Sequence, residues 1–281
     1  MKREVIKTVK GAPAIDGAGV HLVRVLGPET VEAFDPFLML DAFDSTNPSD
    51  YIKGFPRHPH RGIETFTYLM KGRIDHEDSL GNKGTIGDGE SQWMTGGSGI
   101  MHQEMPQPTE HLLGLQLWIN LPRGEKMTEP KYFDITADSI REFDEKSARV
   151  RVVAGKYKNH QGAKGHHLPA TVLDITVDPE GIFEMKSDPT ETLFVYIVEG
   201  SAAFGAEGRT VARKTAVLFG EGDEFYLKAG GEGIRMVLAS APPLRETVAW
   251  GGPIVMNSRD ELYDAFDELD QGTFIKHKIT K

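Results

Sequence analysis

The stretch YLMKG at residues 68–72 recurs as YIVEG at residues 196–200, 128 residues further along the chain. Two later stretches return in the same order, namely GDGE at 87–90 as GEGD at 220–223, and GGSGI at 96–100 as GGEGI at 230–234. Small loop insertions explain why the offset grows to 133 and 134 residues. This internal repeat predicts two domains of similar fold. We expect them at residues 1–140 and 141–281, and either terminal segment can cross over to the other domain.

Short apolar runs bounded by turn-forming residues are spread along both halves of the chain. They are rich in β-branched or aromatic residues, a composition that favours strands. The runs are Thr65–Met70, Leu113–Leu121, Arg151–Ala154, Thr171–Val177, Leu193–Val198, Thr210–Phe219 and Ile234–Ala239. In one of them, Leu173 and Ile175 alternate with the polar Asp174 and Thr176. Many short strands at regular spacing predict an all-β fold, either a sandwich or a barrel.

Two segments, Ser139–Glu142 and Ser258–Glu261, carry the capping-box pattern that starts many helices. Apolar residues at helical spacing, among them Leu262 and Phe266, follow the second segment, and Gly272 comes after them. Glycine commonly follows the last turn of a helix because it adopts a left-handed backbone without steric cost. The sequence therefore predicts an amphipathic C-terminal helix packed on a sheet.

The bulk composition excludes several classes of function. The net charge of −10 repels phosphate backbones, so we expect no direct binding to nucleic acid. Cysteine is absent, which excludes a disulfide framework and a thiolate metal site. No N-terminal segment resembles a signal peptide, and no run approaches the ~18 apolar residues of a membrane span. We therefore expect a cytoplasmic protein that does not bind membranes.

Histidines and glutamates at alternate positions suggest metal chemistry. Alternate side chains of a strand share one face, so His58, His60 and Glu64 are expected to project the same way. His102 and Glu104 are expected to share a face for the same reason. If the two strands are adjacent, three imidazoles and a carboxylate meet at one point. Such a ligand set suits Fe, Mn, Co, Ni, Cu or Zn.

The second repeat lacks all four candidate ligands. The positions that correspond to His58, His60, His102 and Glu104 hold Lys186, Asp188, Met236 and Leu238. Chance surface histidines would not need to vanish as a set, whereas a metal site kept in one domain and lost in the other predicts this pattern. The remaining histidines are expected to be structural or solvated, including His76 in a charged stretch that we expect to be exposed.

Five segments and one spacing of residues match a known pattern. The segments are FDPFLMLDAF at 34–43, FPRHPHRGIET at 55–65, GGSGIMHQE at 96–104, GLQLWINL at 114–121 and GPIVMN at 252–257. The spacing of Gly54, His58, His60 and Glu64, followed by His102, is similar to the paired motifs of the cupin superfamily. Together the segments resemble the pirin family of that superfamily. They span nearly the whole chain, so the chain is identified as a member of this family.

The resemblance implies a bicupin, that is, two similar antiparallel β-barrel domains, with a metal in the N-terminal one only. It implies Fe²⁺ held by the residues that match the pirin ligands, His58, His60, His102 and Glu104. Glu64 would then be an outer residue that supports the ligands. Strand parity alone does not separate Glu64 from Glu104 as the fourth ligand.

The resemblance also implies an activity, because pirins are similar to quercetin 2,3-dioxygenases, which open a flavonol ring with O₂. Glu104 would be catalytic and accept the proton of the flavonol hydroxyl. Four aromatic residues, Phe55, Phe66, Tyr68 and Trp118, would form the walls of the substrate pocket.

Two other functions stay open at this point. The resemblance to eukaryotic pirins implies a redox-sensitive regulatory protein whose metal modulates binding to a partner protein or transcription factor. A metal-free barrel that binds a carbohydrate or small molecule is the third reading, and the intact set of four candidate ligands argues against it.

Overall fold

The computed structural model describes residues 1–277, and antiparallel strands make up most of it. The first elements are β1 (Val5–Lys10), β2 (Ala12–Asp16), β3 (Val20–Leu26), α1 (Val31–Phe34), β4 (Phe37–Ser45), β5 (Phe55–His60), β6 (Ile63–Lys71), β7 (Ile74–Asp78), β8 (Lys83–Ile86), β9 (Ser91–Thr95), β10 (Ile100–Pro106), β11 (Leu112–Asn120) and β12 (Lys131–Ile135). Short 3₁₀ helices lie at Pro28–Thr30, Pro48–Asp50, Arg123–Glu125 and Ala137–Ser139.

The later elements are again strands, followed by one longer helix. They are β13 (Arg141–Asp144), β14 (Ala148–Ala154), β15 (Lys156–Tyr157), β16 (His160–Gln161), β17 (Thr171–Val177), β18 (Ile182–Lys186), β19 (Thr192–Phe204), β20 (Arg209–Ala212), β21 (Thr215–Phe219), β22 (Glu224–Ala241), β23 (Ala249–Gly251), β24 (Ile254–Met256) and α2 (Arg259–Asp270). The predicted all-β fold with a C-terminal helix is confirmed. The strands lie in separate open sheets rather than in fully closed barrels.

The chain divides into two compact units. The first unit comprises Pro13–Val31, Phe37–Ala137 and the described residues from Leu244 onward, and the second comprises Met1–Ala12, Glu32–Pro36 and Asp138–Pro243. The N-terminal strand β1 pairs with β21 inside the second unit. The C-terminal helix α2 packs against β23 and β24 inside the first unit.

The first unit holds two main sheets and a hairpin. The seven-stranded sheet has the order β12-β9-β6-β11-β4-β3-β2, the four-stranded sheet has the order β5-β10-β7-β8, and β23 pairs with β24. An apolar cluster formed by Val20, Leu22, Phe43, Tyr51, Leu69, Ile74, Ile86 and Leu112 is one part of its core. Another part of its interior is polar and includes the buried side chains of Thr67, Gln92 and Gln116. Buried polar groups need hydrogen-bond partners or a ligand, so this polar region is the place to look for a site.

The second unit is built around a nine-stranded sheet. Seven strands follow the path β1-β21-β19-β22-β17-β14-β13, while β18 pairs with β22 and β20 pairs with β19. Its core is apolar and includes Val150, Phe183, Phe204, Phe225 and their neighbours. Met236 and Leu238, the residues at the positions of two candidate ligands in the repeat, are fully buried in this core. Apolar packing therefore fills the space that a polar site would need.

Tertiary pairing decided two details that local sequence signals did not. The predicted strand Thr210–Phe219 is two strands, β20 and β21, because Lys214 adopts a positive φ of 61° between them. The capping-box pattern at Ser139 does not begin a helix, because Arg141–Asp144 forms β13 and pairs with β14. A short capping pattern without a following apolar stripe does not outweigh a neighbouring strand edge.

The second capping box is confirmed at the start of α2. The Glu261 backbone N–H donates to Ser258 Oγ at 3.2 Å, and the Ser258 N–H donates to Glu261 Oε2 at 3.0 Å. Gly272 follows the helix with a positive φ of 69°. Among residues 1–277, no helix has the length and apolar character needed to cross a membrane.

Candidate metal centre

Three histidine side chains of the first unit converge between two adjacent strands. Strand β10 pairs antiparallel with β5, and His102 lies directly opposite His58. The ring centroids of His58 and His102 are 4.4 Å apart, and those of His60 and His102 are 4.9 Å apart. One nitrogen from each of the three rings lies within 4.8 Å of the other two. Three imidazoles at this spacing can hold one transition-metal ion.

The hydrogen bonds around the rings direct one nitrogen of each of the two β5 histidines toward the others. His58 Nδ1 lies 2.8 Å from the Pro56 carbonyl oxygen, and His60 Nδ1 lies 3.1 Å from the Pro253 carbonyl oxygen. A carbonyl accepts only from a protonated Nδ1, so the free nitrogen of each ring is Nε2. The two Nε2 atoms are 3.1 Å apart. Two lone pairs at this separation fit a shared cation.

His102 is the third ring of the group. It is fully buried, and neither of its ring nitrogens has a hydrogen-bond partner within residues 1–277. Unpaired buried nitrogens are costly, and a metal ion would satisfy one of them. Burial lowers the pKa of His60 to about 3, and the neighbouring His58 adds to the effect. Burial is the main reason that the pKa of His102 lies well below its ordinary value, and the nearby histidines lower it further. Both rings are therefore neutral, which is the form that binds metals.

Glu104 lies beside this group on the same face of β10 as His102, and it is not one of the three converging residues. Its Oε1 accepts hydrogen bonds from the Gln92 amide and, at 3.0 Å, from the Thr67 hydroxyl. Its Oε2 lies 3.4 Å from the Gln116 amide nitrogen. These three polar side chains come from β9, β6 and β11 of the seven-stranded sheet, and they fix the carboxylate orientation.

His76 differs from its sequence-based expectation, because it is buried rather than exposed. It is 3% exposed, and its ring stacks on Tyr132 with the centroids 4.0 Å apart. In the pairing of β7 with β10 it lies opposite Glu104, and its ring centroid is 5.4 Å from that of His102. His76 Nε2 lies 3.4 Å from Asp78 Oδ2. The charged stretch around it is a strand with one buried face, which explains the error.

Glu64 is not beside His58 and His60 as strand parity suggested. Strand β5 ends at His60, Gly62 has a positive φ of 77°, and β6 belongs to the other sheet. Parity does not survive such a turn. Thr67 lies on the face of β6 that contacts Glu104. Glu64 is an odd number of residues away from Thr67, so it lies on the opposite face of the strand. There its Oε1 accepts from Thr95 Oγ1 at 2.8 Å.

The same parity places two of the predicted pocket walls away from the site. Phe66 packs edge-to-face on Trp93, with the ring centroids 5.2 Å apart, and Tyr68 shares its face of β6. The structure therefore differs from the expectation for Phe66 and Tyr68. By contrast, Phe55 and Trp118 line the cavity above the histidines.

The C-terminal segment closes the site from another direction. The carbonyl of Pro253 reaches His60, and the ring of Trp250 lies 5.9 Å from that of Trp118. Arg61, the residue after His60, is buried and donates to Glu268 Oε2 at 2.7 Å and to the Phe274 carbonyl at 2.9 Å. The helix and hairpin at the end of the chain are thereby tied to the strand that carries His58 and His60.

A cavity of about 700 Å³ opens onto the histidines. His58, His60 and Glu104 form part of its wall. Most of the remaining wall is apolar, and it includes Met39, Phe43, Phe55, Pro28, Trp118 and Trp250. This size and composition are typical of a site for a small organic molecule.

Comparison with known proteins supplies the family. A sequence profile described as Pirin matches residues 19–119, and one described as Pirin C-terminal cupin domain matches residues 172–275. A "Pirin-like protein" of Caulobacter vibrioides is 40% identical over 276 residues, which cover 97% of this chain and 99% of that protein. This chain belongs to the pirin family. The predicted bicupin fold is confirmed with it.

Other relatives of this pirin carry an enzyme name. A protein of Pseudomonas aeruginosa named "Putative quercetin 2,3-dioxygenase" is 38% identical over 278 residues, covering 96% of this chain and 97% of that protein. The crystal structure of a quercetin 2,3-dioxygenase from Acinetobacter baumannii superposes with a TM-score of 0.89 and 30% identity, over 98% of this chain and 99% of that one. A bacterial pirin, YhhW of Escherichia coli, solved with nickel(II), shares the fold with a TM-score of 0.64 and 19% identity, over 84% of this chain and 99% of that one.

Sequence reasoning missed the polar residues that surround the pirin site. The side-chain amides of Gln92 and Gln116 donate to the Glu104 carboxylate. Each glutamine lies in a strand, between two neighbouring residues that are buried. An isolated buried amide in an apolar strand is a usable signal, because it must have a polar partner. Pro253 gave no signal of this kind, since its role depends only on its backbone carbonyl.

Proposed function

We propose that this pirin is an iron-dependent dioxygenase that opens a flavonol ring with O₂, as quercetin 2,3-dioxygenases do. The observation that carries the proposal is the group of three converging histidines beside an aromatic cavity of about 700 Å³. A flavonol is a planar molecule of a size that such a cavity accommodates. Relatives from Pseudomonas aeruginosa and Thermoplasma acidophilum named "Putative quercetin 2,3-dioxygenase" support the same reaction.

The proposed ligands are His58, His60, His102 and Glu104. When bound, ferrous iron supplies a Lewis acid for the substrate oxygen and the one-electron chemistry that O₂ requires. The choice of iron rests on the family resemblance, because the same donor set also suits Mn, Co, Ni, Cu or Zn. The low pKa values of His60 and His102 keep protons from competing for the ligand nitrogens near neutral pH.

Glu104 is the proposed base. Its carboxylate lines the cavity, where it can accept the proton of a flavonol hydroxyl and leave the more electron-rich oxyanion. The amides of Gln92 and Gln116 hold the carboxylate in place, which reduces the reorganisation needed for the transfer. Phe55 and Trp118 are the proposed walls that orient the flat substrate and exclude water. Glu64, Phe66 and Tyr68 have no role in the proposal.

The test is aerobic turnover of quercetin by the iron-loaded protein, with detection of released CO. His58→Ala is the variant that should lose both metal and turnover. His21→Ala is the matched control, because His21 is an exposed histidine outside the cavity. Turnover with CO release in the wild type and the control, but not in His58→Ala, would support the proposal. Equal turnover in all three proteins would remove the site from the reaction.

The regulatory alternative would be favoured if the protein bound one equivalent of iron at His58 and turned over no flavonol. A metal that changes oxidation state without substrate could alter a surface that a partner protein recognises. A regulatory partner and a cytoplasmic location stay predictions from the sequence.

A further inference from the structure

A second polar point lies in the cavity wall, formed by Asp16, Arg24 and Asp41. Arg24 donates from Nε to Asp41 Oδ1 at 2.9 Å and from Nη2 to Asp41 Oδ2 at 2.7 Å. The same Nη2 donates to Asp16 Oδ2 at 2.6 Å. Asp41 is buried, whereas the side chains of Arg24 and Asp16 are 36% and 47% exposed. We refer to these three residues as the acidic cluster.

The acidic cluster is anchored close to the histidine strand. Asp16 ends β2, and the backbone N–H of Ala18 donates to the Gly54 carbonyl at 3.0 Å, immediately before β5. Gly17 packs so closely here that an added Cβ would lie 2.6 Å from the Gly54 oxygen. These contacts fix the position of the cluster relative to His58, as a site for a rigid ligand requires.

The hydrogen-bonding capacity of the cluster is only partly used. A guanidinium has five N–H donors, and the two carboxylates take three of those of Arg24. Within residues 1–277, the Arg24 Nη1 hydrogens have no partner. Asp16 also retains acceptor capacity beyond its bonds from Arg24 and from the Gly17 N–H. The cavity wall thus offers a donor and an acceptor side by side.

The charges of the cluster determine which group it can accept. Two carboxylates face one guanidinium, so the cluster carries one net negative charge. A carboxylate or sulfonate could accept from Arg24, but it could not donate to Asp16 and would be repelled by this charge. A neutral hydroxyl can accept from Arg24 Nη1 and donate to Asp16 at the same time.

We propose that the acidic cluster binds an uncharged phenolic hydroxyl of the substrate, so the substrates are neutral, planar aromatic molecules with a hydroxyl beyond the one that meets the metal. The inference rests on the proposed function, because it assigns the substrate class of that same site. Asp16 is the specificity-determining residue, since it supplies both the acceptor and the excess negative charge. Conjugates that carry a sulfonate on the ring are excluded for the same reason.

The experiment compares two flavonols with the iron-loaded protein. Quercetin has several hydroxyls, whereas 3-hydroxyflavone has only the metal-binding one. Asp16→Asn removes the charge and keeps an oxygen for the Gly17 N–H. We expect this variant to lose about tenfold in kcat/KM for quercetin, the size of one hydrogen bond to a charged group, and less than twofold for 3-hydroxyflavone. Asp88→Asn is the matched control, because Asp88 also accepts from one backbone N–H and one cation, away from the cavity.

Binding measured without O₂ separates the two proposals. Quenching of tryptophan fluorescence reports occupancy of the cavity, since Trp118 and Trp250 line it. We expect Asp16→Asn to weaken quercetin and to tighten a quercetin sulfonate by at least threefold. Turnover with equal losses for both flavonols would overturn the cluster assignment and leave the dioxygenase standing. Selective binding without any turnover would support the cluster assignment and overturn the dioxygenase. If Asp16→Asn changes the affinity for neither quercetin nor the quercetin sulfonate, the cluster assignment is overturned.

Discussion

His60 Nδ1 lies 3.1 Å from the carbonyl oxygen of Pro253, a residue 193 positions later in the chain. The carbonyl accepts a hydrogen bond from Nδ1–H, which leaves Nε2 of His60 free to face Nε2 of His58. Both residues belong to the first unit, so its C-terminal segment is part of the candidate site. If the proposed metal binds here, the segment around Pro253 supports one of its ligands without supplying a ligand itself.

Arg61→Met is expected to weaken metal binding tenfold or more, because Arg61 ties the C-terminal segment to the strand of His58 and His60. Loss of a group that positions a ligand typically has an effect of this size. A competition titration against a chelator would measure it. Arg73→Met is the control, since the Arg73 side chain pairs with Asp75 at the exposed surface. An Arg61 variant with the affinity of wild type would show that the C-terminal segment does not position His60.

Glu104→Gln is expected to lower kcat for quercetin by about 10²-fold or more, because the base would be lost. The side chain keeps its size and two polar atoms, so the midpoint of thermal unfolding should move by only a few degrees. Steady-state kinetics and thermal unfolding on the same sample would separate the two effects. Glu110→Gln, at an exposed glutamate, is the control. Unchanged kcat in Glu104→Gln would remove Glu104 from the mechanism.

Glu64 is expected to make the stability of the protein depend on pH. Burial raises the pKa of Glu64 to about 7, and the hydrogen bond from Thr95 only partly opposes the rise. Between pH 4.5 and 7 the unfolded chain releases this proton and the folded protein keeps it. The protonated Glu64 side chain therefore stabilises the folded protein fully below the pKa of the unfolded chain. This contribution to the free energy of unfolding is lost as pH rises through about 7.

Glu64→Gln should remove this dependence, because glutamine does not titrate. As the pH is raised from 5 to 8, the free energy of unfolding of wild type should fall relative to that of the variant, by an amount on the order of 3 kcal/mol. Urea unfolding at the two pH values would measure it. If the two proteins follow parallel curves, Glu64 does not hold its proton in the folded state.

Much of the candidate site followed from the sequence because strand parity is a local property. His58 and His60 are two residues apart in one strand, and His102 and Glu104 are two apart in another. The backbone alone places each pair on one face. The same rule failed for Glu64, because Gly62 turns the chain and starts a strand of a different sheet. Parity holds within a strand and is lost at a turn.

The tertiary structure decided everything that depends on which distant segments meet. His76 looked exposed in a charged stretch, and it is buried because β7 pairs with β10 and Tyr132 covers its ring. The acidic cluster joins residues from three strands.

By itself, the sequence determined the internal repeat, the all-β class, the cap at Ser258 and the two pairs of candidate ligands. These features depend on the order of neighbouring residues, and backbone geometry acts over that range. The tertiary structure alone decided the burial of His76, the Pro253 contact and the shape of the cavity. Those features arise from contacts between residues far apart in the chain, and a local pattern carries no information on the partner.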